Sequence, residues 1–138
     1  MRVESWDVKL FAYIEESHRA RFQYGAFDCL LFAAGAVHVQ TGIDYAEPFR
    51  GYDSKVSAYR IVAGYGSLEA MITALLGREP VHPSRAMRGD VVLGEAPLIE
   101  GETGECVGIC LGTHCAWPKD IGLRMLPRSV ARLAWRIE

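Results

Sequence analysis

Residues 27–42 read FDCLLFAAGAVHVQTG, and the arrangement of the rest of the chain follows from this stretch. Asp28 is a strong helix N-cap, because its carboxylate can accept a hydrogen bond from an orphan N–H of the first turn. Gly42 suits the position just past a helix end, where the backbone turns left-handed. The residues between them are apolar on every side of a 3.6-residue period, so a helix over 28–41 is expected to be buried on most of its faces. Other elements must cover it. Ser5 is predicted to cap a helix over 5–18, with Trp6, Leu10, Tyr13 and Ile14 on one face. Asp53 or Ser54 opens a third helix to about residue 63. Ser67 caps a fourth over 68–76, stopped by Gly77.

The character of the chain then changes. Pro80 and Pro83 mark an extended linker. Strands are predicted over 90–93, 106–111, 113–117 and 122–126, with a polar, glycine-containing hairpin connection over 95–105. Pro127 opens a helical turn, and 133–137 returns as a strand. Helices first and an antiparallel meander second define the α+β class. No linker divides the chain, so residues 1–138 are read as a single domain.

Composition narrows the functional classes. Half of the 138 residues are hydrophobic and 23% are charged, which is ordinary for a globular domain. A net charge of −2 and a pI near 6.1 give no global basic field, so nucleic acid is not an expected partner. The one basic stretch, with Arg124, Arg128, Arg132 and Arg136, reads as a solvated helix face rather than a phosphate site. The first nine residues are charged and resemble no signal peptide. The longest apolar run, 30–37, is too short to span a bilayer.

The chemistry-bearing residue is Cys29. As the first residue after the Asp28 cap it meets the unpaired N–H groups and positive dipole end of the helix, which should favour thiolate and a lowered pKa. Cys106, Cys110 and Cys115 complete the set of four. The absence of a leader argues against a disulfide framework, and no C-x-x-C pair points to zinc. No metal or cofactor is therefore expected from a motif. Cys106 and Cys110 are four apart on a predicted strand and share a face. Three readings stay open for Cys29, Cys106 and Cys110: a cluster holding a metal or an iron–sulfur centre, a redox-labile disulfide between Cys29 and Cys106, or packing of small thiols in a core.

Three blocks carry a family resemblance. Phe22-Gln23-Tyr24-Gly25 followed by Phe27-Asp28-Cys29 resembles the Y-x-W-G-G … F-D-C-S-G opening of the NlpC/P60 family. Arg88-Gly89-Asp90-Val91-Val92-Leu93 resembles its P-G-D-L-V-F-F strand, and Cys106-Val107-Gly108-Ile109-Cys110-Leu111-Gly112 its H-V-G-I-Y-L-G strand. The resemblance implies a papain-like fold, in which the helix bearing the nucleophilic cysteine packs with other N-terminal helices on a small antiparallel sheet. Members are mostly peptidoglycan endopeptidases and amidases. The chain also resembles small, leaderless phage and prophage proteins that share a W-x-x-K-L start (Trp6 to Leu10), an F-D-C-L block, a G-D-V-V-L strand and an A-W-R end (Ala134 to Arg136). Their genes lie among tail genes.

Two readings of function follow from the resemblance. One is a structural or assembly protein of a phage tail tip or baseplate, with other tail proteins as partners. The other is a cysteine peptidase or amidase that cuts cell-wall peptide during DNA entry. The expected location is the virion tail, or the bacterial cytoplasm during assembly. The family's histidine base corresponds here to Cys106, its tyrosine to Phe22, and the serine after its cysteine to Leu30. A thiol does not replace an imidazole as a base near neutral pH. The nearest substitute base is His114, past the turn at Gly112. His18 reads as a helix-end residue, His38 as a satisfied core or helix-end residue, and His82 as a loop residue.

Overall fold

The computed structural model describes residues 1–97, 101 and 103–138. Among them four helices come first: α1 (Trp6–Ser17), α2 (Cys29–Thr41), α3 (Lys55–Tyr65) and α4 (Leu68–Leu76). Five strands follow: β1 (Val91–Pro97), β2 (Thr103–Cys110), β3 (His114–Pro118), β4 (Leu123–Pro127) and β5 (Ala131–Trp135). They form one antiparallel sheet in the order β4-β3-β2-β1-β5. The domain is α+β, with its helices and strands segregated along the chain.

The cap residues explain most of the helix boundaries. The Asp28 carboxylate accepts from Leu31 N–H at 2.9 Å, and Gly42 ends α2 at φ 80°. Ser54, not Asp53, caps α3, in a reciprocal box with Ser57. Ser67 caps α4 through Ala70 N–H. Ser5 departs from expectation: it stands at the start of α1 in a left-handed conformation, and its side chain makes no capping bond.

Helix α2 is the central support, as its all-round apolar sequence predicts. Leu30, Phe32, Ala33, Ala36 and Val37 are buried against one face of the sheet, which offers Val91, Leu93, Val107, Ile109 and Ala116. The other face carries Val92, Cys106, Cys110, Cys115, Trp117 and Ala134. It is covered by the segment before β1, where Val81 bridges to Ala134 and Ala86 joins the cluster.

Two expectations about the second half need correction. Strands β1 and β2 reach into the predicted polar connection, pairing Glu95 with Glu105, Ala96 with Gly104 and Pro97 with Thr103. Ladder pairing overrides the weak strand propensity of these residues, and Arg132 relieves the two facing carboxylates through a 2.6 Å contact with Glu105. Residues 98–100 and 102 of that connection lie outside the described residues. The basic stretch is also not a helix face. Its arginines lie on β4, a 3₁₀ turn (Arg128–Val130), β5 and just beyond, and Arg132 and Arg136 pair with carboxylates.

Gly108 is needed for a close approach on the face away from α2. A Cβ there would lie 2.7 Å from both the Ala116 carbonyl oxygen and the Trp117 ring. Gly108→Val is therefore expected to destabilise the fold by about 1–3 kcal/mol through overpacking. The clash is with Ala116 and Trp117 of β3, and the space between strand and helix is not involved. Urea unfolding of Gly108→Val beside Gly108→Ala checks this; a Val variant as stable as the parent would show that β3 yields freely.

A buried carboxylate ties together distant parts of the chain. Asp90 is fully buried. It accepts from Met87 N–H at 2.8 Å and Ile137 N–H at 2.9 Å, and lies 3.4 Å from the Arg2 guanidinium and 2.9 Å from Arg136 Nε. The Arg136 contact is an ion pair rather than an aligned hydrogen bond. Arg2 in turn lies 4.0 Å over the Trp6 ring.

Candidate functional site

The start of α2 is held by a network around Asp28. One carboxylate oxygen caps Leu31, while the other accepts from Gly25 N–H at 3.0 Å and from the Tyr52 hydroxyl at 2.5 Å. Gly25 has φ 86°, and a Cβ on it would fall 2.0 Å from the Tyr52 carbonyl oxygen. Only glycine lets the turn before Cys29 and the loop carrying Tyr52 meet this closely. Burial and the Asp28 carboxylate push the Tyr52 hydroxyl well above the ordinary phenol range, so it stays a proton donor to Asp28. Tyr52 sits in a predicted loop with no sequence signal of its own, and sequence reasoning missed it.

Cys29 projects from the first turn of α2 to the sheet and packs against clusters on both of its faces. Its side chain meets that of Cys106. A break in the sheet makes room for this contact. The β2–β3 ladder covers only Ile109↔Ala116 and Cys110↔Cys115. Continuing the register would set Val107 opposite Pro118. The ladder stops there, and the Val107 N–H is hydrogen-bonded to the thiol pair in the sense that stabilises a thiolate.

The contact splits the titration of the two thiols. Hydrogen bonding to Cys106, then burial, holds the Cys29 proton well above the ordinary thiol value. The hydrogen bond from Cys29 pulls Cys106 down. The helix start was expected to lower Cys29. Its effect is outweighed by the second thiol, by burial and by the adjacent Asp28 charge. The protons of such a pair belong to both sulfurs together.

Cys29 and Cys106 lie on the wall of a cleft of about 410 Å³. Phe22, Tyr24, Tyr52 and Tyr59 supply aromatic rings, and Asp28 and Glu105 supply the acidic groups. No histidine, lysine or arginine lines it among the described residues. The Gly112 turn does not carry His114 here. His114 is exposed at the far end of β3, within 3.0 Å of the Thr113 hydroxyl. Its neighbour Cys115 pairs with Cys110, four residues along β2 from Cys106, which is roughly 13 Å at strand rise. His38 and His82 are likewise outside the cleft.

The same spacing divides the cysteines. Cys110 shares a face with Cys106, as its position predicts, but lies too far along the strand to join Cys29. It meets Cys115 instead, and hydrogen bonding from Cys115 pulls Cys110 down to about 7. The four thiols thus form two pairs, all free, and no group of three metal-binding side chains is assembled among the described residues. The three-cysteine cluster left open by the sequence is not formed.

A family model described as a domain of unknown function, DUF6950, matches residues 1–137. The chain belongs to the DUF6950 family. Comparison of this DUF6950 domain with curated proteins and with solved structures found no match. Among its described residues no helix is long and apolar enough to cross a membrane.

Proposed function

We propose that this domain has a papain-like, NlpC/P60-type fold and serves as a structural or assembly component of a phage or prophage tail tip, the hydrolase scaffold being kept for protein contacts. The observation that carries the reading is Cys106 against Cys29, where the resemblance implies an imidazole. Support for the scaffold comes from a cysteine at the start of a buried helix, set against the second of the sheet's strands. Support for lost hydrolysis comes from a cleft whose described lining contains no histidine. Amide cleavage by a thiol needs a group to take its proton and return it to the leaving amine. Loss of such a group typically removes about 10²–10⁴ in rate.

The purified protein is therefore expected to release no peptide fragments from cell-wall substrates above the background of Cys29→Ala. In a host carrying the gene among tail genes, deletion is expected to give tail-defective particles in the electron microscope, rescued equally by the parent and Cys29→Ala. Normal tails in the deletion would refute the assembly role. Turnover lost in Cys29→Ala would support the second reading, a working cysteine peptidase or amidase, for which the cleft beside Cys29 is the favouring observation.

A further inference from the structure

We propose that Cys29 and Cys106 form a redox-active dithiol that is oxidised to an intramolecular disulfide by low-molecular-weight disulfides entering the cleft, cationic ones in preference to anionic ones. Such a dithiol requires no hydrolase ancestry. Two thiols from distant parts of the chain are held side chain to side chain at a solvent-connected cleft. A backbone donor is already aimed at them: the β2–β3 ladder ends at Ile109↔Ala116, and the Val107 N–H beyond it is hydrogen-bonded to the thiols. The first turn of α2 adds its dipole at Cys29. Cys29 is the partly exposed member and Cys106 the buried one, the usual division between attacking and resolving sulfurs.

The chemistry balances as thiol–disulfide exchange. Once the pair has lost its first proton, the proton that remains is shared between the two sulfurs; with it on Cys106, Cys29, the partly exposed member, attacks one sulfur of R–S–S–R as thiolate. The S–S bond breaks, and R–S⁻ leaves and takes up the proton released from the pair. Cys106 then gives up its proton and attacks the Cys29 sulfur of the mixed disulfide, expelling the second R–S⁻, which is protonated in turn. The protein loses two electrons and two protons, and the external disulfide becomes two thiols. The charge preference comes from Asp28 on the cleft wall, whose hydrogen-bond partners, Gly25 N–H, Leu31 N–H and the Tyr52 hydroxyl, carry no positive charge; Glu105, the other acid there, is paired with Arg132. The other pair, Cys110 and Cys115, is fully buried and should remain reduced while the protein is folded.

The test treats the reduced, folded protein with cystamine, a dication, and in parallel with glutathione disulfide, an anion. Peptide mapping by mass spectrometry then locates any disulfide. Two of the four thiols are expected to be lost with cystamine, in a Cys29–Cys106 link, and several-fold more slowly with glutathione disulfide. Cys106→Ser should instead retain a cysteamine adduct on Cys29, and Cys29→Ser should block formation of the link. Circular dichroism checks that both variants fold; if either does not, the mapped bond in the parent decides alone. No Cys29–Cys106 link in the folded parent, a link confined to Cys110–Cys115, or no adduct on folded Cys106→Ser would overturn the dithiol. Equal or faster reaction with glutathione disulfide would overturn the charge preference.

Discussion

Cys106→His is expected to raise the alkylation rate of Cys29 near neutral pH by about 10- to 100-fold, because a thiol paired with a histidine ionises far more readily than a free one. In the parent protein the group facing Cys29 holds its proton on: the contact with Cys106, burial and the Asp28 charge act in the same direction. An imidazole in the same place accepts that proton, and the resulting cation stabilises the thiolate. Cys106 borders the cleft of about 410 Å³, so the larger ring has open space beside it. Iodoacetamide labelling followed by peptide mapping reads the rate at each cysteine. The fully buried Cys110 and Cys115 serve as internal controls. The same variant is expected to gain measurable cleavage of cell-wall peptide. An unchanged Cys29 rate in a folded variant would mean that the residue 106 side chain is not aimed at Cys29.

Asp90→Ala is expected to lower stability by about 3–5 kcal/mol, the range for removing one partner of a buried ion pair. Two effects combine. Met87 N–H and Ile137 N–H lose their acceptor, and Arg2 and Arg136 lose the carboxylate that neutralises them. With a urea m-value of about 1–3 kcal/mol per molar, the unfolding midpoint should fall by more than about 1 M. Asp90→Asn keeps one acceptor oxygen but removes the charge, and should lie between the parent and alanine. A midpoint within experimental error of the parent for Asp90→Ala would show that both guanidinium groups are fully served by solvent.

The fold was largely legible where a single residue acts locally. Asp28, Ser67, Gly42 and Gly77 delimit their helices through backbone bonds made within a few residues, so their chemistry is visible in a short window. The apolar run of α2 announced its burial for the same reason. The hairpin was less legible, because Glu95, Gly104 and Glu105 become strand by pairing with one another and have little propensity for it alone. Ser5 had the right side chain for a cap but the wrong backbone, which only its tertiary setting fixes.

The site divided in the same way. Cys29 could be placed at a helix start, but its ionisation could not be read, because that depends on a thiol 77 residues later in the sequence. Alternation put Cys106 and Cys110 on one face, yet the partner of each was set by the β2–β3 register and by the position of α2. Tyr52 carried no signal, since its role exists only where its loop crosses the Gly25 turn. The G-D-V-V-L and A-W-R blocks recognised in the sequence meet at Asp90 and Arg136, and Trp6 of the W-x-x-K-L block joins them through Arg2. Those shared residues form a structural tie, away from the thiols.

That tie also orders the folding reaction in time. Asp90 receives Arg2 across 88 residues of sequence and Ile137 across 47. Closing such long loops costs entropy that few local contacts offset at the outset. Strand β1, interior to the sheet, waits for the last strand, β5, for its second neighbour. During synthesis the helices can form as they emerge, but the buried carboxylate has its complete set of partners only after Ile137 is free to reach it. Until then the nascent chain keeps one edge of β1 unpaired and its buried acid short of Arg136 and the Ile137 N–H, so this cooperative step of folding falls after residue 137 has been made.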